Sequence, residues 1–305
     1  RSKADAYGHG AVAFARAAAA VGADVGPLRV TLMAPAALAR RQASGQVAPF
    51  ARSARSTPVW VSPAPLVSTG VCGDNGRMTI TTDTPLLDTV EHETGASPQW
   101  SVLWLHGLGA DGHDFAPLVP ELVRPDWPAL RFVFPHAPVR AVTINNGVRM
   151  RAWYDIVGMD FPTRADSAGI EESLAQVDAL IAREQARGIA PERLLLAGFS
   201  QGGAITLAAG LRRQVPLAGL IALSTYLPGA SQAARHRVAA ATAQPVFMAH
   251  GTGDPVIPLI HAEQSAQALG ELGFDVEWHR YPMAHQVCAE EIRDLGDWMG
   301  RRFAL

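Results

Sequence analysis

Cysteine is nearly missing from this 305-residue chain: Cys72 and Cys288 are the only two, too few for a disulfide framework and spaced unlike any set of metal ligands. No metal site is expected, and so little cysteine fits a reducing, cytoplasmic setting. Charge of one sign is missing as well. A formal net charge of −2 supplies no field that would gather nucleic acid or an anionic membrane surface. No apolar run reaches the roughly 18 residues that a membrane-crossing helix needs, so stable membrane insertion is not expected. The apolar stretch Ala11 to Gly22 follows Arg1 and Lys3 in the manner of a secretory leader, but Asp5, His9 and Arg16 break the order such a leader requires.

What is present divides into two unlike segments. Residues 1–77 hold nine Lys+Arg against three Asp and no Glu, whereas residues 78–305 hold 17 Lys+Arg against 25 Asp+Glu. The first segment is crowded with Ala, Pro, Arg, Ser and Val and keeps no helical or strand period beyond about residue 26. It reads as a poorly ordered extension that is not a domain of its own. Its start, Lys3-Ala4-Asp5-Ala6-Tyr7-Gly8-His9-Gly10, resembles the pyridoxal-phosphate lysine motif of alanine racemases. Nothing after Gly26 resembles the barrel or the second domain that such an enzyme needs. Lys3 is therefore read as an exposed lysine in a tail, and no cofactor is expected. The segment is expected to be a fusion or read-through, with the natural protein beginning at Met78.

From Met78 onward, apolar strand-like runs alternate with helix-like stretches, the pattern of a mostly parallel sheet covered by helices on both faces. Strands are expected over 99–105, 131–134, 193–197, 217–223, 245–249 and 275–281. The clearest helix runs from about Ile170 to Arg187, with Ile170, Leu174, Val177, Leu180 and Ile181 as its apolar stripe. Asp166 or Ser167 is placed to cap it, with Glu171 and Glu172 in its first turn.

The strand at 193–197 runs into Gly198-Phe199-Ser200-Gln201-Gly202-Gly203, with a helix-like Ala204 to Leu211 after it. Strand, glycine-flanked serine and helix in this order form a nucleophile elbow, which exposes Ser200 at a helix N-terminus. A serine hydroxyl is a poor nucleophile near neutral pH. It needs a histidine to take its proton and a carboxylate to orient that histidine, and in such sheets the chain order is Ser, then Asp or Glu, then His. Asp254 lies in the loop after the strand 245–249, and His285 follows the last strand. Their rivals sit less well: His279 is inside a strand, His261 is on a helix, and His92, His113 and His236 belong to unrelated segments. The oxyanion donors expected are the backbone N–H of Gln201, next after the serine, and that of Leu108 in the turn His106-Gly107-Leu108-Gly109.

Several further blocks agree: Leu105 to Gly112, Phe134-Pro135-His136-Ala137-Pro138, Ile144-Asn145-Asn146-Gly147, Arg151-Ala152-Trp153-Tyr154-Asp155, His250 to Pro258, and Met283-Ala284-His285 with Glu290-Glu291. Together with the elbow they resemble the bacterial carboxylesterase, acyl-protein thioesterase and lysophospholipase family of α/β hydrolases. The resemblance spans essentially all of residues 78–305. It implies an α/β-hydrolase fold with little or no cap, and Ser200, Asp254 and His285 as a triad beside Leu108 and Gln201. It also implies Trp153, the loop 142–149 and Ile257 as substrate-binding. The implied activity is serine carboxylesterase action on short- to medium-chain esters, with thioesters or lysophospholipids as the alternative. The expected partner is thus a small-molecule ester, and a homodimer is left open.

A chain beginning at Met78 is expected to melt at the same temperature as the 305-residue chain and to hydrolyse esters at the same rate. A clear loss of either on trimming would make residues 1–77 part of the working protein.

Overall fold

The central strands are apolar at almost every position, yet they serve two different cores. In β2 (Trp100–Leu105), Leu103 and Leu105 point to one face of the sheet while Val102 and Trp104 point to the other. β6 (Leu194–Phe199) divides in the same way into Leu194 and Leu196 against Leu195 and Ala197, and β8 (Val246–Gly251) into Val246 and Met248 against Phe247 and Ala249. The period of two along a strand makes this division, and burial on both faces removes the polar half of the alternation.

The computed structural model describes residues 84–161 and 163–304. The remaining strands are β1 (Thr89–Glu93), β3 (Leu130–Pro135), β4 (Val139–Val142), β5 (Val148–Arg151), β7 (Gly219–Leu223) and β9 (Val276–Tyr281). Seven of the nine described strands form one sheet in the order β1-β3-β2-β6-β7-β8-β9. Only the β1–β3 pair is antiparallel. β4 and β5 stand apart as an antiparallel hairpin, turned through left-handed Asn146 and Gly147.

Helices α1 (Ser167–Ala186), α2 (Gln201–Leu211) and α3 (Leu259–Glu271) close the first core with Leu174, Val177, Leu180, Ile181, Ile205 and Leu269. Helix α4 (Ala289–Phe303) and the single turn Val119–Leu122 close the second, where Leu295 and Met299 join Trp298, whose ring packs against Phe247. A mostly parallel sheet between helical layers is thus observed. No helix among the described residues is long and apolar enough to cross a membrane. The boundary at Met78, the racemase-like run around Lys3 and Cys72 lie outside the described residues.

Asp166 caps α1, its carboxylate accepting from the N–H groups of Ala168 at 3.1 Å and Gly169 at 2.9 Å. Because the helix opens at Ser167, Glu171 and Glu172 fall in its second turn and not in the first. β1 and the hairpin β4–β5 have no counterpart among the strands expected from sequence. Their residues are largely solvated and carry charges, so they lack the apolar runs by which the central strands announce themselves.

Asp166→Ala leaves two N–H groups of the first turn without their carboxylate. It is expected to lower stability by about 1 kcal/mol, read as a lower denaturation midpoint in urea with an unchanged slope.

Candidate active site

The end of β6 is where the sheet turns its chemistry outward. Ser200 follows Phe199 with φ 55° and ψ −119° and caps α2, which begins at Gln201. A non-glycine residue in this region costs on the order of 1–3 kcal/mol and persists only where its surroundings hold it. Here they hold both sides of the peptide. Ser200 N–H donates to the Leu223 carbonyl at 2.9 Å, and the Ser200 carbonyl accepts from the buried Thr225 hydroxyl at 2.6 Å and from Ala204 N–H at 3.1 Å. The flanking glycines are steric necessities. A methyl group on Gly202 would overlap the carbonyl oxygens of Leu105 and His106, and one on Gly198 would overlap the backbone of Gly202 and Gly203.

Asp254 and His285 reach this serine from the loops after β8 and β9. The loops after β8 and β9 are zipped together by Thr252 N–H to Tyr281 O at 2.8 Å and Gly253 N–H to Met283 O at 3.0 Å. His285 Nε2 lies 2.9 Å from Ser200 Oγ, and its Nδ1 lies 2.6 Å from Asp254 Oδ2. The other carboxylate oxygen of Asp254 accepts from Val256 N–H at 2.8 Å and Ile257 N–H at 2.9 Å. Burial pushes the Asp254 carboxyl up, but the His285 hydrogen bond and charge together with those two backbone donors outweigh it. The carboxyl is left below its ordinary pKa and ionised. An ionised Asp254 accepts from Nδ1–H, which leaves Nε2 free to accept the serine proton.

Two N–H groups beside the serine make no hydrogen bond among the described residues, those of Leu108 and Gln201. Gln201 stands at the head of α2, where first-turn N–H groups have no helical partner. Leu108 sits in the turn after β2, where a methyl group on the neighbouring Gly107 would meet Phe199 and the Cβ of Ser200. The N–H of Gly109 in the same turn donates to Arg151 O at the end of β5, so the hairpin missed in the sequence anchors this loop.

His106 anchors it from beneath. Ala137 N–H donates to His106 Nε2 at 3.1 Å, so the ring proton sits on Nδ1, which donates to Gly107 O at 2.7 Å. Burial drives the pKa of His106 down to about 4, with the Gly107 carbonyl opposing, and the ring is neutral near pH 7. His250 plays a similar part behind the acid: its Nε2 donates to Ile257 O at 2.9 Å, and burial, opposed by that bond, lowers its pKa. Both histidines follow an apolar run and precede a glycine, a signal the sequence carried for position and not for role.

The sequence assigned Trp153 and Ile257 to substrate binding; in the structure both are buried, at 0% and 2% exposure. Trp153 donates its indole N–H to His106 O at 2.9 Å, and Ile257 serves through its backbone, giving its N–H to Asp254 and its carbonyl to His250. The side chain of Gln201 is a further residue whose part was not anticipated: its Oε1 accepts from Trp153 N–H at 2.8 Å, and its Nε2 donates to Tyr154 O at 2.7 Å.

A parallel sheet with a strained serine elbow, followed in chain order by an aspartate and a histidine in line with it, is the architecture of an α/β hydrolase. The comparisons narrow this class. Residues 89–300 match the phospholipase/carboxylesterase family, and the chain belongs to that family of ester and thioester hydrolases. It is 38% identical over 227 residues to acyl-protein thioesterase 1 of Mycosarcoma maydis, an alignment covering 69% of this chain and 94% of that one. Among solved structures it is similar to SOBER1 of Arabidopsis thaliana, with 32% identity, a TM-score of 0.62, and 67% of this chain against 98% of that one. It is also similar to esterase PE8, with 28% identity, a TM-score of 0.61, and coverage of 71% and 98%.

Downstream of His285, Glu291 lies fully buried in the first turn of α4. Burial, which the Cys288 backbone only partly offsets, pushes its carboxyl up to about 8. The folded protein therefore keeps this proton while the unfolded chain releases it near the ordinary carboxylate pKa. The contribution to stability is complete below about pH 4 and is lost as pH rises toward 8. Glu291→Gln, which cannot ionise, is expected to gain on the wild type through that window, by a few kcal/mol at its top. Urea titrations of the two proteins at pH 5, 6.5 and 8 read the difference, and a gap that stays constant with pH would refute it.

Proposed function

We propose that this protein is a serine hydrolase that removes acyl groups from thioester-linked protein substrates and also cleaves carboxylic esters. The observation that carries the reading is the line of contacts from Asp254 through His285 to Ser200 Oγ, 2.6 and 2.9 Å long, beside two N–H groups that make no hydrogen bond of their own. The 38% identity to a protein named acyl-protein thioesterase 1 favours thioesters over small esters as the main substrates.

In this reading His285 Nε2 takes the proton of Ser200 as Oγ attacks the acyl carbonyl carbon. The negative charge that develops on the carbonyl oxygen is received by the N–H groups of Leu108 and Gln201, at the positive end of α2. Collapse of the tetrahedral adduct breaks the bond to sulfur or oxygen, and the leaving group takes the proton from His285. Water, deprotonated by the same imidazole, attacks the acyl-serine and releases the acid. The ionised Asp254 stabilises the imidazolium in both halves of the cycle without taking its proton.

Ser200→Ala should keep the fold and lower kcat/KM by a factor on the order of 10⁴ or more. With wild-type protein, kcat/KM for an S-palmitoyl peptide should exceed that for p-nitrophenyl octanoate and for a lysophosphatidylcholine. Rapid cleavage of the octanoate beside an inert thioester would return the reading to a carboxylesterase.

A further inference from the structure

The two proposed oxyanion donors come from different parts of the chain, Leu108 after β2 and Gln201 at the start of α2. An oxyanion hole works only if both N–H groups converge on one point, and a misplacement of about 1 Å can cost two orders of magnitude. Something must fix their separation. Trp153 is bonded to both segments, to Gln201 and to His106, and is held at every polar atom it has. Its N–H donates to Gln201 Oε1 at 2.8 Å, its carbonyl accepts from the Ser173 hydroxyl, and its indole N–H donates to His106 O at 2.9 Å. Tyr154 carries the tie onward, its carbonyl accepting from Gln201 Nε2 at 2.7 Å and its hydroxyl lying 3.2 Å from that of Tyr226, next to the Thr225 that holds the Ser200 carbonyl. On the other side His106 is fixed through both ring nitrogens.

We infer that Trp153 and the Gln201 carboxamide are positioning residues, a buried hydrogen-bonded strut that sets the separation of the Leu108 and Gln201 N–H groups. The inference rests on the proposed acyl-transfer reading. It differs from a substrate-wall role for Trp153 in what the residue does: it shapes the transition-state site and leaves ground-state binding alone. An interaction of this kind shows in kcat and in affinity for a tetrahedral adduct, while a pocket contact shows in KM.

The test replaces Trp153 by Phe, which removes the indole N–H, and by β-(3-benzothienyl)alanine, which replaces N–H by sulfur in a ring of nearly the same shape. The second variant keeps the packing if the first melts early. Both should lower kcat by about 10- to 100-fold with KM within about twofold. The inhibition constant of an octyl boronic acid, which forms a tetrahedral adduct on the serine, should weaken by the same factor. Gln201→Met should act likewise, and combining it with W153F should lower kcat little beyond the worse single variant, since both break one strut. A rise in KM that grows with acyl length, with kcat and boronate affinity unchanged, would make Trp153 a pocket residue and overturn the inference. Unchanged kinetics in the benzothienyl variant would overturn it equally. Ser200→Ala in the same assays separates this from failure of the wider reading, because full activity there would remove the acyl-serine itself.

Discussion

The site depends on one backbone conformation. With φ at 55°, Ser200 stands clear of both the strand before it and the helix after it. No local preference of serine favours that geometry. It is kept by Leu223 and Thr225 from the neighbouring strand end and by the absence of side chains at Gly198 and Gly202. The parallel pairing of β6 with β7 brings those two holders alongside, with Gly198 opposite Ala222 and Phe199 opposite Leu223. The sheet is thus the clamp on the elbow as well as its platform.

The remaining groups reach the serine with little independent freedom. Asp254 and His285 sit on loops that share main-chain hydrogen bonds, and the Asp254 carboxylate is held by two N–H groups of its own loop. The turn bearing Leu108 is tied to the hairpin through Gly109 and to β3 through His106 and the Ala137 N–H just past it. Most of these ties use buried main-chain polar groups, which would be costly to leave unpaired. The hydrogen bonds that complete the fold at the C-terminal end of the sheet are therefore the same ones that aim the site.

Much of this was legible in the sequence. Ser200, Asp254 and His285 could be placed because glycine spacing, strand ends and chain order are properties of single segments, and the central strands could be placed because burial on both faces makes them continuous apolar runs. What escaped depends on contacts between distant segments. β1 and the β4–β5 hairpin lie at margins where water replaces a core, so their residues carry no periodic signal. Trp153 and Ile257 sit in motifs close to the chemistry, which suggested contact with substrate; the fold adds that both side chains are buried. The Gln201 carboxamide, Thr225 and the His106 ring act on segments 25 to 48 positions away, and nothing local marks these roles.

The two cores that share the central strands restrict how the chain can change in length. Deleting or inserting one residue within β2, β6 or β8 would turn every following side chain to the opposite face, sending Trp104 toward the space built for leucine and Phe247 toward that of Met248. Neither core has room for the exchange. Viable gains and losses of residues are confined to the connections. Those at the C-terminal ends of the strands surround Ser200, so relatives of this chain can diverge in what they accept while the sheet beneath stays fixed in register.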